Sequence, residues 1–313
     1  GLLADPDFPR KAEEGDSRLI YHCVACNQGC FDNIFRGRPA TCMVNPRAGH
    51  EGEFPLKRAE RRRDILVIGG GPAGMKAACS AAERGHKVTL AEKKPVLGGQ
   101  ILLNRRIPGR EELLTLASDL ADNLRSLEVH LRLGEEAGPS TVKELRPDAV
   151  VVATGGSPAA ARIPGTDRLH VIQAWDVLEG KARTGERVVI IGGNAVGLET
   201  ALYLAGEGTI SPEVLYFLFT SGAEKAPFLS ELVSRGNKQV TVLEMTKKAG
   251  EDIGASTRWT VKSELKRLGV NVMTAARRVH RRRCRSANGE RAGNPARRYR
   301  GPGGGIAIRK SPR

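Results

Sequence analysis

The sequence predicts an α/β protein with two parallel β-α-β units behind a cysteine-rich segment. Three observations carry this. A short apolar run, Ile65-Leu66-Val67-Ile68, leads into a glycine turn and an alanine-rich helix. The same order returns at Val188-Val189-Ile190-Ile191. Ahead of both lie Cys23, Cys26, Cys30 and Cys42, spaced C-x2-C-x3-C-x11-C. Apolar runs of this length, bounded by turn residues, are those of buried parallel strands.

The first unit reads strand, glycine turn, helix, strand, acid. The turn is Gly69-Gly70-Gly71-Pro72-Ala73-Gly74, the helix runs through Arg84, and the second strand, Lys87 to Ala91, ends at Glu92. Gly69 allows a tight turn, Gly71 lets backbone approach a pyrophosphate, and Gly74 lets helix and strand pack closely. Pro72 and Ala73 open the helix, whose N–H groups and partial positive charge suit phosphates. Glu92 stands where a carboxylate would meet a ribose hydroxyl. This is the pattern of a Rossmann-like dinucleotide-binding unit.

The second unit repeats it. Gly192-Gly193-Asn194-Ala195-Val196-Gly197 forms the turn, a helix follows from Leu198, and the strand Gln239 to Leu243 ends at Glu244. Asn194 replaces the glycine at the third position. Asparagine tolerates the left-handed region, so the turn survives, with less room for phosphate. An acid at Glu244 favours the free 2′-hydroxyl of NADH over the 2′-phosphate of NADPH, which remains possible. Residues 207–237 lie between helix and strand. Ser211-Pro212-Glu213 is a helix start, and two apolar stretches follow, so this insertion reads as a helical hairpin with an apolar stripe. That stripe either packs on its own domain or meets a partner.

The four cysteines suit a [4Fe–4S] cluster, which needs four thiolates, three from a tight loop and one from farther on. Structural zinc also takes four thiolates, but in two C-x2-C pairs, and here Cys42 stands alone. Disulfides fit poorly without a secretory segment. Cys79 reads as a small buried hydrophobe. Neither β-α-β unit carries a cysteine pair of its own, which speaks against a dithiol disulfide reductase.

A chain of 313 residues has room for two or three domains. Its net charge of +15 suggests a nucleic-acid partner, but Arg277 to Arg313 hold thirteen Lys/Arg against one acid, leaving about +3 for the rest. Charge concentrated in a tail is unlike a folded basic face, so nucleic acid is not the expected partner. Neither a signal peptide nor an apolar run of membrane-spanning length stands out, so the cytoplasm is expected and a membrane is not.

Cys26-Asn27-Gln28-Gly29-Cys30 and Cys42-Met43-Val44-Asn45-Pro46-Arg47 resemble the cluster segment of the 2,4-dienoyl-CoA reductase / trimethylamine dehydrogenase family, the NADH:flavin oxidoreductases. The resemblance runs from about Leu2 to about Thr274. It implies an FMN-binding barrel upstream, whose last turn resembles residues 4–9, so the chain reads as a part of a longer protein. Residues 1–18 would be the barrel remnant, 19–58 the cluster segment, 59–180 the FAD domain, resumed near 270–276, and 186–269 the NAD(H) domain. FAD is expected at the first turn and NAD(H) at the second. Leu97-Gly98-Gly99-Gln100 lies beside the FAD in that family, which assigns Gly99 and Gln100 as contacts. Thr154 and Gly155, ending the buried strand Ala149 to Ala153, resemble the point where the chain passes between the two domains.

The resemblance implies that NAD(P)H reduces FAD, that electrons pass through the cluster toward FMN, and that an enoyl-type C=C bond is reduced or an amine oxidised. It assigns no catalytic residue to this chain, which would lack the substrate site. An electron-transfer subunit like the glutamate synthase small subunit, serving a separate acceptor chain, is the alternative, and a non-enzymatic basic binding protein is a third. An oligomer is possible. The tail, residues 277–313, departs from the family. It reads either as disordered or as a frameshift over Val279 to Ile308, since codons exist whose shifted frame restores two strands and a turn.

Overall fold

In the computed structural model, residues 1–159, 163–276 and 307–310 are described. They form two compact units, residues 1–157 with 254–257, and residues 158–159, 163–253, 258–276 and 307–310.

The first unit begins with α1 (Phe8–Glu13) and α2 (Phe31–Ile34), which flank the first three cysteines. Then follow β1 (Asp64–Ile68), α3 (Pro72–Glu83), β2 (Lys87–Glu92), α4 (Thr115–Ser126), β3 (His130–Leu133), α5 (Pro139–Leu145) and β4 (Ala149–Val152). The sheet is parallel, in the order β3-β2-β1-β4. Its core gathers Val67, Met75, Ala78, Cys79, Leu90, Leu120 and Leu124. Tyr21, Val24 and Val44 join that core, and Cys26 and Cys42 pack against it. The cysteine segment therefore rests on the same apolar mass as the first glycine turn.

The second unit holds β5 (Val171–Gln173), α6 (Ala174–Leu178), β6 (Arg187–Ile191), α7 (Ala195–Gly206), α8 (Pro212–Thr220), α9 (Ala226–Ser234) and β7 (Gln239–Leu243). Most of α10 (Ala255–Arg267), then β8 (Asn271–Met273) and β9 (Ala307–Lys310), complete it. The order is β5-β9-β6-β7-β8, with β6, β7 and β8 parallel and β9 antiparallel to its neighbours. Val188, Ile190, Leu198, Ala201, Leu204, Val240 and Val242 form its core. Helices α8 and α9 occupy the insertion between α7 and β7. Ser211 starts α8 by accepting the Val214 N–H at 3.3 Å, while Tyr216, Phe217 and Phe219 stay exposed. Apart from β9, the tail and its frameshift reading lie outside the described residues.

Two local expectations differ. The run ending at Ala153 predicts a buried strand, but Val150, Val151 and Val152 of β4 are exposed. Among the described strands β4 pairs with β1 alone, so its apolar run has one neighbouring strand rather than two. Asn194 has φ −82° and ψ −179°, an extended conformation that any residue adopts, so its tolerance of the left-handed region is not used.

Candidate functional site

The cysteine segment is shaped by local backbone and by three distant anchors. Ala25 and Asn27 take positive φ values of 48° and 58°, which curls the loop between Cys23 and Cys30. Gly29 accepts the Thr41 N–H at 2.7 Å, and a Cβ on Gly29 would lie 2.7 Å from the Thr41 carbonyl oxygen. This clip brings Cys42 beside Cys30. Upstream, the buried Asp5 carboxylate accepts from Lys11 Nζ at 2.7 Å and from the Tyr21 N–H at 2.8 Å. Burial alone would raise the Asp5 carboxyl, but these donors hold it below its ordinary value. The His22 N–H donates to Asp119 of α4 at 2.7 Å. Cys23 thus follows a stretch fixed from both sides.

The result is a cavity of about 220 Å³ lined by Cys23, Cys26, Cys30 and Cys42 together with Leu2, Leu3, Val24 and Val44. All four are free thiols. Burial pushes the Cys26 thiol up, the Gln28 N–H opposes this, and the crowding of Cys30, Cys42 and Cys23 adds to the rise. Among the described residues no group of three His, Cys, Asp or Glu closes on a point where a single metal ion would sit. Four sulfurs spread round a cavity suit a polynuclear cluster in donor chemistry and in number.

The first glycine turn stands at the C-terminal ends of β1 and β4. Gly69 has φ 112°, and a Cβ on Gly74 would overlap the Gly69 carbonyl oxygen. Gly71 is open, with no atom nearer than 4.0 Å to an added Cβ. Pro72 and Ala73 form the first turn of α3. Gly99 packs its Cα against Gly71, because a Cβ built on Gly99 would lie 2.9 Å from it. Gln100 donates from Nε2 to the Gly156 carbonyl at 2.8 Å, which places it beside Thr154 and Gly155. Glu92, 7% exposed, accepts the Gly70 N–H at 2.6 Å and the Lys94 N–H at 2.8 Å. Gly70 was missed by sequence reasoning. In the structure a Cβ on Gly70 would lie 2.9 Å from the Glu92 Cβ, so the glycine lets the acid pack against the turn.

The second turn matches the first atom for atom at its base. Gly192 has φ 110°, and a Cβ on Gly197 would overlap the Gly192 carbonyl oxygen. Glu244, 6% exposed, accepts the Gly193 N–H at 2.7 Å and the Thr246 N–H at 2.7 Å. Burial would raise its carboxyl, but these N–H groups outweigh burial and hold it below its ordinary value. Asn194 precedes α7, and Val196 lies in its first turn with its side chain exposed. One feature has no counterpart at α3 among the described hydrogen bonds: the Ala195 N–H meets both carboxylate oxygens of Asp252 at 3.0 Å.

Two glycine turns, each opening a helix and backed by a buried glutamate, have the local form of dinucleotide-binding turns. The chain belongs to the pyridine nucleotide-disulphide oxidoreductase family, which matches residues 63–286. It is 45% identical to the metal reductase of Desulforamulus reducens over 276 residues, covering 87% of this chain and 41% of that protein. It is 44% identical to the NADH oxidase of Thermoanaerobacter brockii over 214 residues, 66% of this chain and 33% of that one. Among solved structures, a 2-naphthoyl-CoA reductase complex superposes with a TM-score of 0.74 at 34% identity, over 88% of this chain and 37% of the other. The chain thus spans about two fifths of the length of these relatives or less. No helix among the described residues is long and apolar enough to cross a membrane.

Proposed function

We propose that this chain is the NADH-oxidising, electron-relay part of a longer flavin-dependent oxidoreductase. FAD would sit at the first turn, against Gly69, Gly71, Pro72, Ala73 and Gly74, with Gly99, Gln100, Thr154 and Gly155 beside it. A nicotinamide dinucleotide would sit at the second, against Gly192, Gly193, Asn194, Val196 and Gly197. Cys23, Cys26, Cys30 and Cys42 would hold a [4Fe–4S] cluster. When bound, these groups supply hydride acceptance and one-electron transfer, chemistry that no side chain provides.

The residues of this chain bind, orient and exclude. The α3 and α7 N-termini offer N–H groups to phosphates. Glu92 and Glu244 each spend one lone pair per oxygen on a backbone N–H and keep another for a ribose hydroxyl. A carboxylate at Glu244 disfavours the 2′-phosphate of NADPH, so NADH is the proposed donor. The observation that carries the reading is the convergence of four cysteines on one cavity packed against the core of the first turn.

The acceptor would be an FMN barrel in the rest of the protein, reducing an enoyl-type C=C bond or oxidising an amine. The names of the relatives support redox chemistry, and their greater length supports a fused acceptor over a separate subunit. The test is anaerobic reconstitution followed by iron and sulfide assay. About four irons and matching sulfide per chain are expected, lost in Cys26→Ala. Zinc without sulfide overturns the cluster, and failure of NADH to bleach the FAD of the reconstituted protein overturns the donor.

A further inference from the structure

We propose that Asp252 is a built-in competitor for the dinucleotide phosphates at the second glycine turn, and that it sets the affinity of that site. This rests on the nucleotide reading of the turn. The start of α7 is where a pyrophosphate would meet unpaired N–H groups and the positive end of the helix dipole. That place already holds a negative charge of the chain's own. The Ala195 N–H points between the two carboxylate oxygens of Asp252, 3.0 Å from each.

The carboxylate is aimed there by its surroundings. On one side, the Gly250 N–H donates to the Gly193 carbonyl at 2.7 Å, inside the glycine turn itself. Gly250 has φ 72°, which bends the chain toward α7. On the other side, Ile253 is buried in the second core, 5% exposed, and its N–H returns to the Gly250 carbonyl at 3.2 Å. Arg258 clamps the same turn, with Nε on the Ile253 carbonyl at 3.0 Å and Nη2 on the Glu251 carbonyl at 3.1 Å. Asp252 is therefore the tip of a short, pinned turn.

Among its described residues the first unit has no such device. α3 starts at Pro72, which lacks an N–H, and among the described hydrogen bonds no carboxylate meets its first turn. The two sites would then differ in kind. The first is open to a cofactor that stays, while the second makes its ligand displace an acid and so favours release. A donor that must leave after each turnover fits the second.

The test is direct binding of NADH to the FAD-reconstituted chain and to Asp252→Asn, followed by quenching of nicotinamide fluorescence. Asp252→Asn is expected to bind NADH on the order of tenfold more tightly at low salt, the effect of one unit charge a few ångströms from a phosphate at a protein surface. The gap should narrow as salt is added. Adenosine, which carries no phosphate, should bind both proteins alike. Asp252→Ser, which keeps an acceptor for the Ala195 N–H without the charge, should behave as Asp252→Asn. Equal or weaker NADH binding by both folded variants overturns the inference. No NADH binding by any of the three proteins overturns the nucleotide reading of the second turn itself.

Discussion

Lys76 holds its Nζ 4.0 Å from the centre of the Tyr21 ring, joining the cysteine segment to the helix behind the first glycine turn. Lys11 approaches the same ring at 4.8 Å. Attraction to the ring opposes the cost of burying an ammonium. Burial wins, and the Lys76 ammonium is held below its ordinary value.

The sign of the consequence is fixed. A lysine whose folded value is lowered binds protons less well in the folded chain than in the unfolded one. Stability therefore rises with pH between the lowered value and about 10.4. Lys76→Met, which keeps the apolar stem, should be as stable as the parent or more so by about 1 kcal/mol at pH 7. It should lack part of the rise that urea titrations show as pH climbs toward about 10.4. A large loss of stability at pH 7 would show that the ring contact outweighs burial.

Gly74 and Gly71 should respond differently to alanine. At Gly74 the new methyl would overlap the Gly69 carbonyl oxygen, backbone against backbone. Gly74→Ala should cost more than about 2 kcal/mol and yield little folded protein. At Gly71 the nearest atom is 4.0 Å away, so Gly71→Ala should fold with an unchanged melting temperature. Its methyl would stand where a pyrophosphate approaches, so flavin retention on gel filtration should fall at least tenfold.

Glu244 carries a pH dependence of the same sign as Lys76, but in the acid range. Its carboxyl is held below its ordinary value by two N–H groups that outweigh its burial. The stability this contributes is present above about pH 4.3 and is lost as pH falls through the lowered folded value. Glu244→Gln should cost about 1–2 kcal/mol at pH 7. Urea midpoints of parent and variant should converge as pH falls from 5 toward 3. Parallel curves would remove Glu244 from the acid transition.

Cys79 should be silent to alkylation. Its side chain is fully enclosed, and burial, the main cause, pushes its thiol up to about 11. At pH 8 the folded, cluster-free chain should take maleimide at the exposed Cys23 and leave Cys79 unlabelled, with denaturant exposing it. Peptide mass mapping reads both sites. Rapid labelling of Cys79 in the folded chain would contradict its burial.

Both turns could be read from the sequence because their parts are close in the chain. Strand, glycines, helix and strand follow one another, and period and turn chemistry act over a few residues. Gly69, Gly74, Gly192 and Gly197 play the parts their spacing assigns. Asn194 shows the limit of such reasoning, because its backbone conformation could not be inferred from residue preference. The apolar run of β4 likewise carried no sign that the strand would pair with β1 alone among the described strands.

The cysteine spacing by itself determined that four thiols lie close along the chain, and the repeated pattern determined two strand-turn-helix units. Tertiary structure decided how they are held. Tyr21 meets Lys76, His22 meets Asp119, and Gly99 meets Gly71, each across a stretch of chain that no local pattern encodes. Asp252 reaches Ala195 from 57 residues away. An aspartate beside Glu251 in a loop looks like any other acid until packing of Ile253 and the Arg258 clamp aim it. Local preferences act over one or two turns of chain, whereas the position of a charge over a helix end depends on every element packed between them.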